Sequence, residues 1–343
     1  MWEGSGEGAI RVALLPFENV SGHPRSPAIV SPLVELALRE RGYEVVDPNA
    51  LEPFLFRQRI RATGKLSKEQ LGALGREFAV SLAIVGSIDL FADTPGNPQW
   101  GISGRLLETA SGEIVWANAA GFTGDDFTGF LGLGTITSPD QLATKVVGDL
   151  FREFPAGDVP AGPQGAAPIR RVKPAKVPPG VFRDPGLATE PPQRVAVLPF
   201  ENGTERRGAA LIVDDLMAVA LFQVGPFAVA DPGEVRRALQ TLGLAPYGGI
   251  ELDALHKIGD AAGVDAVILG RVEDYNEGLR PGTSTSPSIA LDARMLDTKT
   301  GRILWMGYHS ARGEDSQIVL EFGKIKSMVP LALKVIAELV GTM

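Results

Sequence analysis

The chain contains the same domain sequence twice. Residues 11–19 read RVALLPFEN and residues 194–202 read RVAVLPFEN, a displacement of 194 − 11 = 183. Further on, residues 107–116 (LETASGEIVW) return as residues 296–305 (LDTKTGRILW), a displacement of 296 − 107 = 189. Because the register persists over most of the 343 residues, we predict two copies of one folding unit.

Each copy shows the same succession of predicted strands and helices. The first apolar run of each copy alternates little, which is typical of a strand buried on both faces. A helix, a strand, two helices, three strands and a last helix follow. The order β-α-β-α-α-β-β-β-α predicts a three-layer-like α/β domain, with early parallel strands and a late antiparallel meander.

Three helix starts are marked by capping residues. Asp47 and Asp231 are each followed by proline, and aspartate at the N-cap with proline at the first turn favours a helix start. Ser67 stands three residues before Gln70, the spacing of a capping box. The first two signals occupy matching places in the two copies, which supports the duplication.

A segment rich in proline and glycine separates the copies. Residues 155–193 hold ten prolines and five glycines and almost no large apolar side chains. We therefore expect an extended, semi-rigid Pro-rich linker. The predicted domains are a flexible tail (1–9), the first copy (10–154), the linker and the second copy (194–343).

Composition and absent motifs exclude several classes of function. A net charge of −8 argues against a nucleic-acid partner, which requires a basic surface. The chain has no cysteine, and its three histidines have no partner at ligand spacing, so we predict no metal site. Phosphate-binding loops, dinucleotide fingerprints and nucleophile elbows are missing, so we predict no catalytic residue and no cofactor. No apolar run reaches the roughly 18 residues of a transmembrane helix.

The recurring motifs resemble those of a known family. These motifs are the VA(L/V)LPFEN strand, the Asp-Pro helix start, the Ile-(Val/Leu)-Gly strand and the Thr-x-(Ser/Thr)-Gly hairpin that ends in tryptophan. Together they look like the envelope domains grouped around the curli-export lipoprotein (CsgG), the activator lipoprotein LpoB and the amino-terminal domain of TolB. The resemblance covers both copies. It implies a bacterial periplasmic module, often on an outer-membrane lipoprotein, that acts through protein contacts.

The chain also departs from that family. It lacks the two long amphipathic hairpins that a curli-export pore inserts into the membrane, so we expect no pore. It has no lipid-carrying cysteine, so membrane attachment would require an anchor outside this sequence. The resemblance implies a periplasmic location at the outer membrane.

Two pairs of polar residues are candidate ligand positions. Glu18 and Asn19, and their counterparts Glu201 and Asn202, follow the first strand of each copy. Open sheets commonly bind ligands at the carboxyl ends of such strands. The alternative is structural, with asparagine bonded to the turn and glutamate facing solvent.

An apolar segment of the first copy is a candidate partner surface. Its side chains are Phe122, Phe127, Phe130, Leu131 and Leu133, while the matching stretch of the second copy carries charged residues. The segment either covers an apolar surface of its own domain or contacts another protein. In the second case, replacing Phe127 and Phe130 by serine should weaken a complex without unfolding the domain.

Two further groups have alternative interpretations. Arg57, Arg59, Arg61 and Lys65 form a basic patch, which is either a solvated face or a polyanion site. Trp116 and its counterpart in the second copy either stack on a ligand or pin the hairpin to the sheet.

We predict a non-catalytic scaffold or accessory module that binds envelope protein partners during assembly or export. One alternative is a small-ligand sensor or an enzyme with a pocket near Glu18 and Glu201. Another is a subunit that self-associates into a ring or filament through its sheet edges.

Overall fold

The first copy folds as a mixed sheet with helices on both faces. Its strands are β1 (Arg11–Leu14), β2 (Glu18–Asn19), β3 (Glu44–Val45), β4 (Leu82–Ala92), β5 (Gln99–Glu108) and β6 (Ile114–Thr123). Its helices are α1 (Ser26–Arg39), α2 (Pro48–Arg57), α3 (Lys68–Phe78) and α4 (Pro139–Leu150). The strand order is β3-β1-β4-β5-β6, and β2 pairs with the second half of β4. The pairs β1–β3 and β1–β4 are parallel, and β4–β5–β6 form the antiparallel meander.

The second copy repeats this arrangement. Its strands are β7 (Phe182–Arg183), β8 (Arg194–Val197), β9 (Glu201–Asn202), β10 (Ala228–Val229), β11 (Ala266–Asn276), β12 (Ser288–Asp297) and β13 (Ile303–Arg312). Its helices are α5 (Gly186–Thr189), α6 (Ala209–Val224), α7 (Pro232–Leu242), α8 (Leu252–Ala262) and α9 (Met328–Val340). The strand order is β10-β8-β11-β12-β13-β7. The predicted fold, two copies of a mixed α/β domain, is confirmed.

This computed structural model describes residues 10–128, 133–155, 180–245, 250–279, 286–317 and 323–343. None of the helices in these ranges is long and apolar enough to cross a bilayer.

Local hydrogen bonds form where the capping signals predict them. Asp47 Oδ1 accepts from the Asn49 N–H at 2.9 Å, and Asp231 Oδ1 accepts from the Gly233 N–H at 2.8 Å. Ser67 forms a reciprocal capping box with the third residue of α3. These bonds satisfy amides that the first turn of a helix leaves without an intrahelical partner.

Part of the segment expected to be a linker is folded. β7 pairs antiparallel with β13, and Leu187 of α5 is buried in the core. The expectation of an extended linker is therefore wrong for residues 182–189, because β7 forms hydrogen bonds with the edge strand β13 and Leu187 packs into the core. Residues 156–179 of the linker and the tail 1–9 lie outside the described residues.

The two copies share one hydrophobic core. α1 and α4 cover the outer face of the first sheet, and α7 and α8 cover part of the outer face of the second. α6 and α9 lie between the two sheets, with α2 and α3 beside them. Because α6 is apolar on almost every side, it suits a position with protein on all sides.

Candidate functional site at the junction of the two copies

Small residues of the first sheet allow α9 of the second copy to pack closely. A Cβ on Gly101 would lie 2.4 Å from Val329 Cγ2, and a Cβ on Gly121 would lie within 3.0 Å of neighbouring atoms. The matching positions of the second sheet, at a displacement of 189, are Ala290 and Ser310. The missing side chains therefore mark the face on which the copies meet.

A buried arginine connects three segments at this junction. Arg105 of β5 is 1% exposed, its Nε donates to Asp231 Oδ2 at 2.9 Å and its Nη1 to Asp215 Oδ1 at 3.1 Å. Its Nη2 donates to the carbonyl of Gly64 at 2.7 Å. Burial alone lowers the pKa of Arg105, but the two carboxylates outweigh burial and raise it. The first copy supplies the cation and the second supplies both carboxylates.

Two further charges extend this junction cluster. Lys65 Nζ lies 3.8 Å from Asp215 Oδ1. Asp214 Oδ1 accepts from the Phe200 N–H at 2.9 Å, and burial raises the pKa of Asp214 to about 7. We define the junction cluster as Lys65, Arg105, Asp214, Asp215 and Asp231.

A fourth buried carboxyl, that of Asp89, lies close by. Asp89 is inaccessible to solvent, and its Oδ1 accepts from the Ser87 hydroxyl. Its Oδ2 has no hydrogen-bond partner among the described residues. Burial raises the pKa of Asp89 to about 8, so this carboxyl is largely protonated at neutral pH.

The geometry of the junction cluster suits adhesion. Arg105 is hydrogen-bonded across the junction, and both of its carboxylate partners come from the other copy. Removing one member of such a buried pair would leave an uncompensated buried charge and so destabilise the junction. In the part of the chain that the structure describes, no group of three or more His, Asp or Glu could hold a metal ion.

Asn19 and Asn202 form hydrogen bonds to the backbone of their own turns. Asn19 Oδ1 accepts from the Gly22 N–H at 3.1 Å, and its Nδ2 donates to the His23 carbonyl at 2.8 Å. In the second copy, Asn202 Oδ1 accepts from the Thr204 N–H at 3.0 Å. These bonds match the structural alternative for the asparagines.

The two predicted glutamates have different surroundings. Glu18 packs beside Gly64, where a Cβ would lie 3.0 Å from its Cδ, and so borders the junction cluster. Glu201 lies 3.6 Å from Arg271 on the second sheet. Neither glutamate lines the cleft between the α2–α3 loop and α7.

Residues of the apolar segment differ in exposure. Phe122 and Phe127 contact each other edge to face, with ring centroids 5.2 Å apart, and both pack partly against the outer core of the first copy. Leu133 is 72% exposed. Phe130 and Leu131 lie outside the described residues.

Both hairpin tryptophans are core residues. Trp116 packs on Phe151 and Phe154, and Trp305 Nε1 donates to Thr342 Oγ1 at 2.9 Å. The structural alternative therefore holds for both.

Sequence reasoning missed the junction cluster. The available signal was Asp214-Asp215, two adjacent carboxylates inside an apolar helix. Such residues are rarely buried unless they are paired, so they predict a cation from another segment. The sequence does not reveal that this cation is Arg105, because Arg105 and Asp215 are 110 positions apart along the chain.

One family model matches the second copy. Residues 186–342 match the family described as "Putative lipoprotein GNA1162-like". No curated protein matches the chain.

Three solved structures are similar to part of this chain. The PelC dodecamer from Paraburkholderia phytofirmans has 18% identity and a TM-score of 0.33, and the match covers 44% of this chain and 87% of that chain. Lipoprotein GNA1162 from Neisseria meningitidis has 21% identity and a TM-score of 0.30, with 35% and 82% covered. The LpoB C-terminal domain from Escherichia coli has 18% identity and a TM-score of 0.24, with 35% and 82% covered.

The family match over residues 186–342 supports the predicted resemblance to envelope lipoprotein domains. It does not support a specific relation to the curli-export lipoprotein or to TolB.

Proposed function

We propose that the protein is a non-catalytic accessory module of the bacterial envelope, and that its two copies act as one body in binding a protein partner. The observation that carries this proposal is the junction cluster, whose central arginine is bonded to carboxylates of the other copy. The match of residues 186–342 to a lipoprotein family supports an envelope location. In this proposal the protein acts in the periplasm at the outer membrane.

The partner surface in this proposal is the apolar segment of the first copy. Leu133 is exposed to solvent, whereas Phe122 and Phe127 are half-buried against the outer core of the first copy. Serine at Phe127 would therefore cost stability as well as contact area. Leu133 is the better position for a test.

The test uses the full chain, cross-linked in cells of the bacterium that encodes it and then purified with its partners. We expect Leu133→Ser to lose the partner that the unaltered chain captures. Phe56→Ser is the matched control, because Phe56 is 85% exposed on α2 of the same copy. If both variants capture the partner equally, the apolar segment is not part of the interface. If the unaltered chain captures no partner, the proposed function is wrong.

Self-association is a second candidate, favoured by one open sheet face. Beyond the part covered by α7 and α8, the face of the second sheet that corresponds to the junction is exposed among the described residues, with Arg294 exposed, Met306 43% exposed and Tyr308 46% exposed. Arg294 is the counterpart of Arg105, at a displacement of 294 − 105 = 189. Asp47, the counterpart of Asp231, is exposed in the first copy.

The same packing repeated between two chains would therefore bring Asp47 of one chain to Arg294 of the next. Such a head-to-tail contact produces a ring or a filament. Analytical sedimentation of the unaltered chain should show oligomers. Either Arg294→Glu or Asp47→Lys alone should dissociate them, and mixing the two variants should restore them. A chain that stays monomeric at high concentration would contradict this candidate.

A further inference from the structure

A cationic cleft opens where the loop between α2 and α3 meets α7 of the second copy. Its volume is about 370 Å³, within the size range of small-ligand pockets. Five of its lining side chains are cationic and one is a carboxylate: Arg59, Arg61, Lys65, Arg236, Arg237 and Glu69. Both copies therefore contribute positive charge to one cavity, in a chain whose net charge is −8.

Few of these charges are neutralised by the protein. Glu69 lies 4.0 Å from Arg237, and it also accepts a hydrogen bond from the Ser67 hydroxyl. Among the described residues, Arg59, Arg61 and Arg236 form no ion pair. Like charges around a cavity repel one another, and an anion in the cavity would relieve that repulsion.

The cleft is also continuous with the junction. Lys65 lines it, yet its side chain is only 11% exposed and lies 3.8 Å from Asp215 of the junction cluster. Gly233 lines the cleft from the other copy, and a Cβ there would lie 2.1 Å from the Leu66 carbonyl oxygen. A ligand in the cleft would thus contact both copies.

The side chains, and not the helix ends, are the available donors. The Gly233 N–H already donates to Asp231, and the Ser67 N–H already donates to Gln70. Guanidinium groups present a planar fork of N–H donors that matches the oxygens of a phosphate. Arginines from two directions suit a phosphate group held between them.

We propose that this cleft binds a small phosphate-bearing anion, with Arg59 and Arg61 contributed by the first copy and Arg236 and Arg237 by the second. Lys65 adds positive charge at the inner wall. The ligand is either a soluble phosphomonoester or the headgroup of an anionic phospholipid, which present the same phosphate chemistry. Because the ligand contacts both copies, it stabilises their association.

The test measures binding of glycerol phosphate to the full chain by calorimetry, and binding of vesicles with and without phosphatidylglycerol by co-sedimentation. We expect the double variant Arg61→Gln/Arg236→Gln to bind at least about tenfold more weakly, as the loss of two charge-assisted hydrogen bonds predicts. We also expect affinity to fall as salt is added.

The matched control is Arg76→Gln/Arg207→Gln, which removes one exposed arginine from each copy outside the cleft. It should bind like the unaltered chain. Binding of glycerol phosphate supports a soluble ligand, and binding of phosphatidylglycerol vesicles alone supports a lipid headgroup. The proposal is overturned if neither probe binds, or if the control loses as much affinity as the cleft variant while both variants keep the thermal unfolding temperature of the unaltered chain.

Discussion

At the scale of single residues, Arg105 and Arg294 occupy the same place in the two copies but have opposite environments. Arg105 is buried and bonded to Asp215 and Asp231, whereas Arg294 is exposed on the second sheet. A guanidinium in a dry interior requires fixed partners, while the same group at the surface is solvated by water. Substituting each arginine in turn therefore measures how much the junction contributes to stability, with Arg294 as the control for Arg105.

We predict that Arg105→Met lowers the free energy of unfolding by about 3–5 kcal/mol, because it leaves the buried Asp231 without its cation and Asp215 with Lys65 alone. The matched variant Arg294→Met should change it by less than about 0.5 kcal/mol, as surface substitutions usually do. Urea denaturation measures both. Equal effects of the two variants would contradict the structural role of the junction cluster.

The buried carboxyl of Asp89 predicts a pH dependence of stability. Burial raises the pKa of Asp89 from 3.8 to about 8. The folded protein therefore binds a proton that the unfolded chain has released, so stability is lost as pH rises between these values, by about 1.4 kcal/mol per pH unit.

We expect Asp89→Asn to remove this part of the loss, since an amide stays neutral and still bonds Ser87. Unfolding free energies measured from about pH 6 to about pH 8 should fall less steeply for the variant than for the unaltered chain. The control is Asp93→Asn, an exposed carboxyl whose removal should leave the slope unchanged. Parallel curves for Asp89→Asn and the unaltered chain would disprove the prediction.

At the scale of elements, corresponding helices of the two copies have different surroundings. α1 presents exposed polar residues such as Ser31 and Arg39, and α4 presents Thr144 and Lys145. Their counterparts α6 and α9 are buried on nearly all sides between the two sheets. The same fold therefore uses its first and last helices as a surface in one copy and as a central layer in the other.

Contact between α9 and the first sheet depends on the lack of a side chain at residue 101. We predict that Gly101→Ala destabilises the protein by about 1–3 kcal/mol, the usual cost of an overpacked contact, because its Cβ would lie 2.4 Å from Val329 Cγ2. Val329→Ala in the same chain should recover part of this loss. Thermal and urea unfolding measure the effect, and purely additive losses in the double variant would show that the two positions do not touch.

At the scale of the whole molecule, the shared core makes the two copies one cooperative unit. One cluster of buried side chains combines residues of both sheets, among them Val85, Leu107, Ile268 and Met295. Separating the copies would expose α6 and α9, which carry apolar residues on most sides. A domain boundary in the sequence does not imply independent folding here.

We predict that a chain cut at a protease site inserted within residues 156–179 elutes as one complex in gel filtration. Before cutting, tryptophan fluorescence and circular dichroism should report a single coincident unfolding transition. The same cut in the Arg105→Met variant should release separate fragments more readily. Two separate transitions, or fragments of the unaltered sequence that elute apart, would contradict a shared core.

Much of the fold was predictable because its signals are local. The Asp231-Pro232 cap, the capping box of Ser67 and the apolar runs of the central strands act over a few residues. The linker prediction was wrong where β7 pairs with β13 and Leu187 is buried. The composition of a segment does not indicate which edge strand, distant in sequence, is available for pairing. The asparagine turns were one of two stated alternatives, and the structure decided between them.

The sequence by itself determined that one α/β unit occurs twice, with its order of strands and helices, because periodicity and capping are written within each copy. Only the tertiary structure decided which face of the first sheet is covered and which arginine is buried. Those outcomes depend on surfaces that residues 126 positions apart, such as Arg105 and Asp231, form together. The free energy of such a contact depends on both folded surfaces, so it cannot be predicted from either stretch of sequence alone.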